Sequence, residues 1–252
     1  MPSLWERISG APLKTVVLFG FAILLSGNWL LPLMDRDEPR FAEASREMLR
    51  RRDFVVPHFN GQYRFDKPPL IYWCQAACYK LLGQNSFAAR LPSVFFAVGT
   101  SCLLFLWGRR LNLAVPGLYA GVMFVSCLQV LIHGRLAVAD MPMIFFVTAA
   151  SWTGWELSRP AAARGPIWWW AFFGSLGLGF LAKGPVAWLP LAGVLLACWL
   201  RPRQFRVSPV YMITGVFVML AIVGLWGIPA LISTRGEFFA VGIGRHVVYR
   251  SL

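Results

Sequence analysis

Apolar runs of bilayer-crossing length recur along the whole of this chain. Seven can be delimited, at 15–34, 88–107, 113–132, 141–157, 167–182, 184–200 and 210–232. Each is close to the ~17–25 residues a helix needs to cross hydrocarbon. The rest of the composition agrees. Hydrophobic residues make up 58% of the chain and charged residues 14%, with 12 Trp and 20 Phe. An average soluble domain carries about 25% charge, and disordered chains are poor in aromatics. Five scattered cysteines supply no disulfide framework. The fold expected is all-α: one polytopic transmembrane helical bundle of about seven spans, occupying 1–252 as a single domain.

The first run resembles a signal peptide in having Arg7 and Lys14 ahead of it. No small-residue cleavage site closes it, and apolar residues continue past Ser26-Gly27-Asn28, so it is read as a retained span. With the N-terminus in the cytoplasm, the inner segments receive Arg7, Lys14, Arg109, Arg110, Arg159, Arg164, Arg201, Arg203 and Arg206. That asymmetry satisfies the positive-inside rule. It places the 35–87 loop and the stretch after 232 outside.

The 35–87 loop holds seven of the 11 acids: Asp35, Asp37, Glu38, Glu43, Glu47, Asp53 and Asp66. It also holds two helix-like pieces. In 39–51, Phe41, Ala44, Met48 and Leu49 form an apolar stripe, with Glu–Arg pairs three or four residues apart on the other faces. Such an amphipathic helix is expected to lie on the membrane surface. In 69–82, Tyr72, Trp73 and Tyr79 suit an interfacial aromatic belt. Asn60-Gly61 between them is a turn signal.

Several residues in this outer region could carry chemistry. Asp37 and Glu38, with Asp35, Arg36 and Arg40, form a dense cluster where the first span ends. It reads as a catalytic carboxylate with cations for an anionic substrate, or as a helix cap. Lys67, just before the helix start at Pro68-Pro69, reads as part of an anion site or as a lysine anchoring the interface. Asp140 and Lys183 lie at span ends on the same outer side. Arg245, His246 and Arg250 follow the seventh run there. Cys74 and Cys78 have no His partner at ligand spacing and read as core or interfacial thiols. No nucleotide-binding glycine loop occurs, and topology accounts for the basic balance without nucleic acid.

The run Asp37-Glu38-Pro39-Arg40-Phe41-Ala42-Glu43, then Arg46-Glu47-Met48-Leu49 and Asp53-Phe54-Val55-Val56-Pro57, resembles the first outer loop of bacterial aminoarabinose transferases. Asn60-Gly61, Lys67-Pro68-Pro69-Leu70, Tyr72-Trp73, Gly83 and Phe87-Ala88-Ala89-Arg90-Leu91-Pro92-Ser93 continue the likeness. Asp140 and Leu181-Ala182-Lys183-Gly184-Pro185 extend it thinly. These enzymes sit within the wider protein O-mannosyltransferase-like superfamily of membrane glycosyltransferases. The resemblance implies transfer of a sugar from a polyprenyl-phosphate carrier to a lipid, glycan or protein acceptor, as in lipid A modification, on the periplasmic face of the bacterial inner membrane. It implies Asp37 as catalytic residue, with Asp140 as the second aspartate. Arg40, Lys67, Glu38, Lys183, His246 and Arg250 are implied as phosphate or substrate contacts.

No cofactor is required by the sequence; a divalent metal at Asp66 and His246 is left open. Position 64 is Arg and position 66 is Asp where close relatives often carry Tyr and Glu. Members of the family are longer, so the chain reads as their N-terminal half. Two rival readings are a non-catalytic fragment that binds prenyl phosphate and a lipid or solute transporter. A transporter would call for charges near the bilayer midplane and repeated halves, and neither is visible here.

Overall fold

The computed structural model describes residues 12–34, 36–159, 165–200 and 209–238. Its elements are α1 (Pro12–Leu25), α2 (Asp37–Arg51), a hairpin of β1 (His58–Phe59) and β2 (Gln62–Tyr63), α3 (Leu70–Leu82), α4 (Ser86–Arg110), α5 (Ala114–Ser126), α6 (Leu128–His133), α7 (Asp140–Leu157), α8 (Pro166–Lys183), a 3-10 turn (Pro185–Trp188), α9 (Leu189–Leu200) and α10 (Pro209–Ser233). The architecture is helical, as expected, with one short antiparallel hairpin that turns at Asn60-Gly61.

Among the described residues, two helices, Ser86–Arg110 and Val210–Ser233, are long and apolar enough to cross a bilayer by themselves. Three expected runs are interrupted. The run at 15–34 leaves the helix after Leu25, where Gly27 takes a left-handed φ of 72°. The carbonyls of Asn28, Leu31 and Pro32 then accept hydrogen bonds from Arg90 instead of from helical amides. The run at 113–132 breaks at Cys127, which is extended between α5 and α6. Just before it, the Ser126 hydroxyl folds back onto the Val122 carbonyl, the local competition that weakens helix ends. The run at 184–200 starts as a 3-10 turn because Gly184 sits at φ 80° ahead of Pro185.

Small residues let two helix backbones approach closely. The α4–α5 pair shows this. A Cβ on Gly108 would sit 2.6 Å from the Gly117 Cα, and one on Gly121 would sit 2.9 Å from the Ser101 carbonyl. The Ser101 hydroxyl donates to the Gly121 carbonyl at 2.7 Å. On the other side, α7, α8, α9 and α10 close around Leu157, Phe172, Phe173 and Leu176.

Residues 36–87 form a layer that packs on the 136–139 stretch and on the ends of α8 and α10. The expected stripe of α2 exists, but Phe41, Ala44 and Met48 are buried against Ile71, Tyr72, Val138 and Ala139. That face meets protein, which corrects the reading of a helix resting on the membrane. Tyr72 and Tyr79 are likewise buried within the layer rather than placed in an interfacial belt. The fully buried Gln75 ties the layer together. It accepts from Ser45 at 2.6 Å and donates to the Ala89 and Ala137 carbonyls at 3.1 and 3.3 Å.

Candidate active site

Asp37 opens α2 and is exposed, while Arg40 follows one turn later on the same face. Glu38, between them, points the other way. It is fully buried, and its two oxygens accept from Arg90 Nε and Nη2 at 2.8 Å each. The Met34 and Ala137 amides, also at 2.8 Å, complete its shell. Glu38 was expected to contact substrate, and this burial gives it a different place. Its carboxylate joins the end of the first run, α2, α4 and the 136–139 stretch, with no surface to offer a ligand.

Arg40 lines a polar cavity of about 290 Å³ together with Phe59, Gln62, Arg64 and Asp66. The hairpin supplies one wall, and Glu47 holds its turn. The Glu47 carboxylate, 2% exposed, accepts from the Gly61 amide at 3.2 Å and from Arg51 at 3.3 Å. Arg64, largely buried, forms part of the cavity wall. Its guanidinium lies 5.3 Å from the Phe41 ring centre and 5.8 Å from that of Phe59. It donates to the Tyr72 hydroxyl at 3.0 Å and pairs with Asp66 at 3.3 Å.

Burial pushes the Tyr72 phenol up to about 12; the Arg64 guanidinium opposes the rise, and the Asp66 and Asp37 carboxylates add to it. Asp37 and Asp66 therefore lie within electrostatic reach of one hydroxyl. Arg40 and Arg64 against Asp66 leave the charged lining of this cavity net positive, which suits an anionic ligand.

Lys67 is half-buried and lies three residues before the start of α3. The α3 N-cap, Pro69, makes no side-chain cap bond to the first-turn amides. Asp140 begins α7 and Lys183 ends α8, and the two form an ion pair with each other. They sit beside the layer: Ala137 reaches Glu38, and Leu181 packs with Val56 and Trp226. Lys183, expected to contact substrate, is paired with Asp140 in the structure.

Among the described residues no group of three metal-ligating side chains occurs, and the Asp66 carboxylate faces Arg64. Asp35, Arg245, His246 and Arg250 lie outside the described residues. Cys74 and Cys78 are free thiols, and burial pushes both up, Cys74 to about 11, as fits packing residues.

Sequence reasoning missed Arg64, Gln75, Arg90 and Trp226 as organising residues. Trp226 on α10 donates to the Val55 carbonyl at 2.7 Å, and Trp73 on α3 donates to that of Phe54 at 2.7 Å. Two indoles from distant parts of the chain thereby hold the 53–56 turn, which Asp53 caps through the Val55 amide at 2.9 Å. A polar side chain inside an apolar run was the available signal for Arg90 and Gln75. Nothing local marked Trp226 among 12 tryptophans.

A relative from Pectobacterium carotovorum, an undecaprenyl phosphate-alpha-4-amino-4-deoxy-L-arabinose arabinosyl transferase, is 35% identical over 193 residues, covering 72% of this chain and 34% of its own length. The chain thus spans about a third of that relative. Among solved structures, ArnT from Cupriavidus metallidurans bound to undecaprenyl phosphate matches 93% of this chain and 43% of its own, with a TM-score of 0.78 and 23% identity. The S. cerevisiae protein O-mannosyltransferase Pmt1-Pmt2 complex bound to the sugar donor matches 98% of this chain and 35% of its own, with a TM-score of 0.64 and 19% identity. At those identities the likeness is one of fold. Residues 66–226, well over half of the chain, match the family described as dolichyl-phosphate-mannose-protein mannosyltransferase, and to that family the chain belongs.

Proposed function

We propose that this chain carries the donor-side part of a membrane glycosyltransferase. The enzyme moves a sugar from a polyprenyl-phosphate carrier to a lipid, glycan or protein acceptor. The observation that carries this reading is the polar cavity lined by Arg40, Arg64 and Asp66, with Asp37 one helical turn before Arg40 and Lys67 next to Asp66 in the chain. The names of the relatives, which join undecaprenyl phosphate to an amino sugar and dolichyl phosphate to mannose, support the same chemistry.

Cleaving a sugar–phosphate bond leaves a lipid phosphate that gains negative charge. Lys67 and Arg40 stabilise that charge as it develops. The bond that breaks joins the sugar's anomeric carbon to the phosphate oxygen, and the bond that forms joins that carbon to an acceptor oxygen. With a hydroxyl acceptor, Asp37 takes the proton. With a phosphate acceptor no proton need move, and Asp37 orients the nucleophile. The Asp140–Lys183 pair holds the ends of α7 and α8 together beside the α2–α3 layer. The lipid-linked sugar carries its own leaving group, so the donor supplies the energy for transfer.

In this reading the helices make seven spans of a bacterial inner-membrane protein. Its N-terminus is cytoplasmic and its 35–87 layer periplasmic. Full-length protein given a labelled polyprenyl-phosphate sugar should release polyprenyl phosphate, and Asp37→Asn should slow transfer to a hydroxyl acceptor by ~10²-fold or more. Full transfer by Asp37→Asn removes the catalytic assignment. Reaction of a cysteine placed at Gly61 with an impermeant thiol reagent only after inner-leaflet access is opened reverses the orientation.

A further inference from the structure

An apolar groove of about 470 Å³ runs between α4, α7 and α9 at the end of the bundle away from the α2–α3 layer. Its lining includes Trp107, Trp155, Ser158, Gly193, Leu196 and Leu200. Trp155, Leu196 and Leu200 are each at least half exposed, so the groove opens onto the outside of the bundle. In a bilayer such a groove cannot stay empty or hold water. Unfilled walls forfeit their dispersion contacts, and an apolar lining gives water too few partners. An acyl chain is the occupant the surroundings supply.

The polar end of the groove narrows the choice of lipid. Ser158 lies there beside Arg159. Glu156, fully buried, is shared by Arg110 at 3.3 Å and Arg159 at 3.2 Å, whose side chains are 45% and 36% exposed. Two cations on one carboxylate leave these three residues net positive. Arg109 adds a further exposed charge. Basic pockets between spans at the cytoplasmic face recognise anionic headgroups.

We propose that this groove holds one anionic phospholipid of the leaflet at the basic helix ends, with an acyl chain along Trp155 and Gly193 and its phosphate against Arg110 and Arg159. The inference rests on reading α4, α7 and α9 as membrane spans and not on glycosyl transfer, so it stands or falls independently of the catalytic assignment.

Gly193 offers a clean test, because a Cβ there would meet nothing within 4 Å. Gly193→Leu fills the groove from within. Gly174→Leu enters equally open space on α8 outside the groove and serves as control. Full-length protein is exchanged into nanodiscs of equal phosphatidylglycerol and phosphatidylcholine, and bound lipid is read by native mass spectrometry. Wild type and Gly174→Leu should each retain one phosphatidylglycerol, and Gly193→Leu should lose it. Arg110→Gln should lower retention by about fivefold, the effect of one juxtamembrane cation. Equal retention by Gly193→Leu and wild type would overturn the proposal and mean that another segment of the full chain covers the groove. Equal retention of phosphatidylcholine and phosphatidylglycerol by wild type would overturn it as well.

Discussion

Arg90 grips Glu38 in a two-pronged pair, Nε to one carboxylate oxygen and Nη2 to the other, both at 2.8 Å and both inside the protein. The three remaining Arg90 contacts are carbonyls just after α1, so one guanidinium anchors the layer to the first helix and to α4. Arg90→Met leaves the Glu38 charge buried and unmatched, which should cost ~3–5 kcal/mol. Thermal unfolding in detergent should show the loss. The double variant Glu38→Gln with Arg90→Met should recover part of it. A single variant that melts with the wild type would mean that this pair does not hold the layer.

The Asp140–Lys183 pair is exposed by about a quarter on each side chain, so its contribution to stability should be near the ~1 kcal/mol of a partly solvated pair. Lys183→Met should therefore fold normally while reducing sugar transfer. A double-mutant cycle on kcat/KM should show coupling between Asp140→Asn and Lys183→Met. Additive losses would mean that the two residues act separately.

Alkaline pH should loosen the outer layer. The buried Tyr72 and Tyr79 phenols both stand at about 12 against an ordinary 10. The unfolded chain therefore gives up these protons first as pH rises. Their stabilisation is complete below about pH 10 and is lost on the way to about 12. Each Tyr→Phe change should flatten the stability slope in that window by up to one proton, about 1.4 kcal/mol per pH unit. Unchanged slopes in Tyr72→Phe would show the phenol to be solvated.

Trp226→Phe keeps an aromatic ring on α10 but removes the donor to the Val55 carbonyl. The cost in stability should be about 1 kcal/mol. A faster amide hydrogen exchange confined to 53–58 would show that α10 holds this turn. Exchange unchanged there would leave Trp73 and Asp53 as sufficient restraints.

Which parts of the protein were legible from sequence follows from the range of the forces involved. Helical content, the turn at Asn60-Gly61 and the apolar stripe of α2 are local properties of side-chain spacing and backbone preference, and they stand in the structure. The charged residues near Asp37 and Lys67 were legible because charge must leave an apolar bundle at its ends. Tertiary structure decided what each group faces. Glu38 and Asp37 are neighbours in the chain, yet helical rotation buries one against Arg90 and exposes the other. The α2 stripe is the same stripe whether it meets lipid or Tyr72. Only the packing of α3 and the 136–139 stretch across it decides that protein wins, because those partners arrive from about 30 and 100 residues away, beyond the reach of any local pattern.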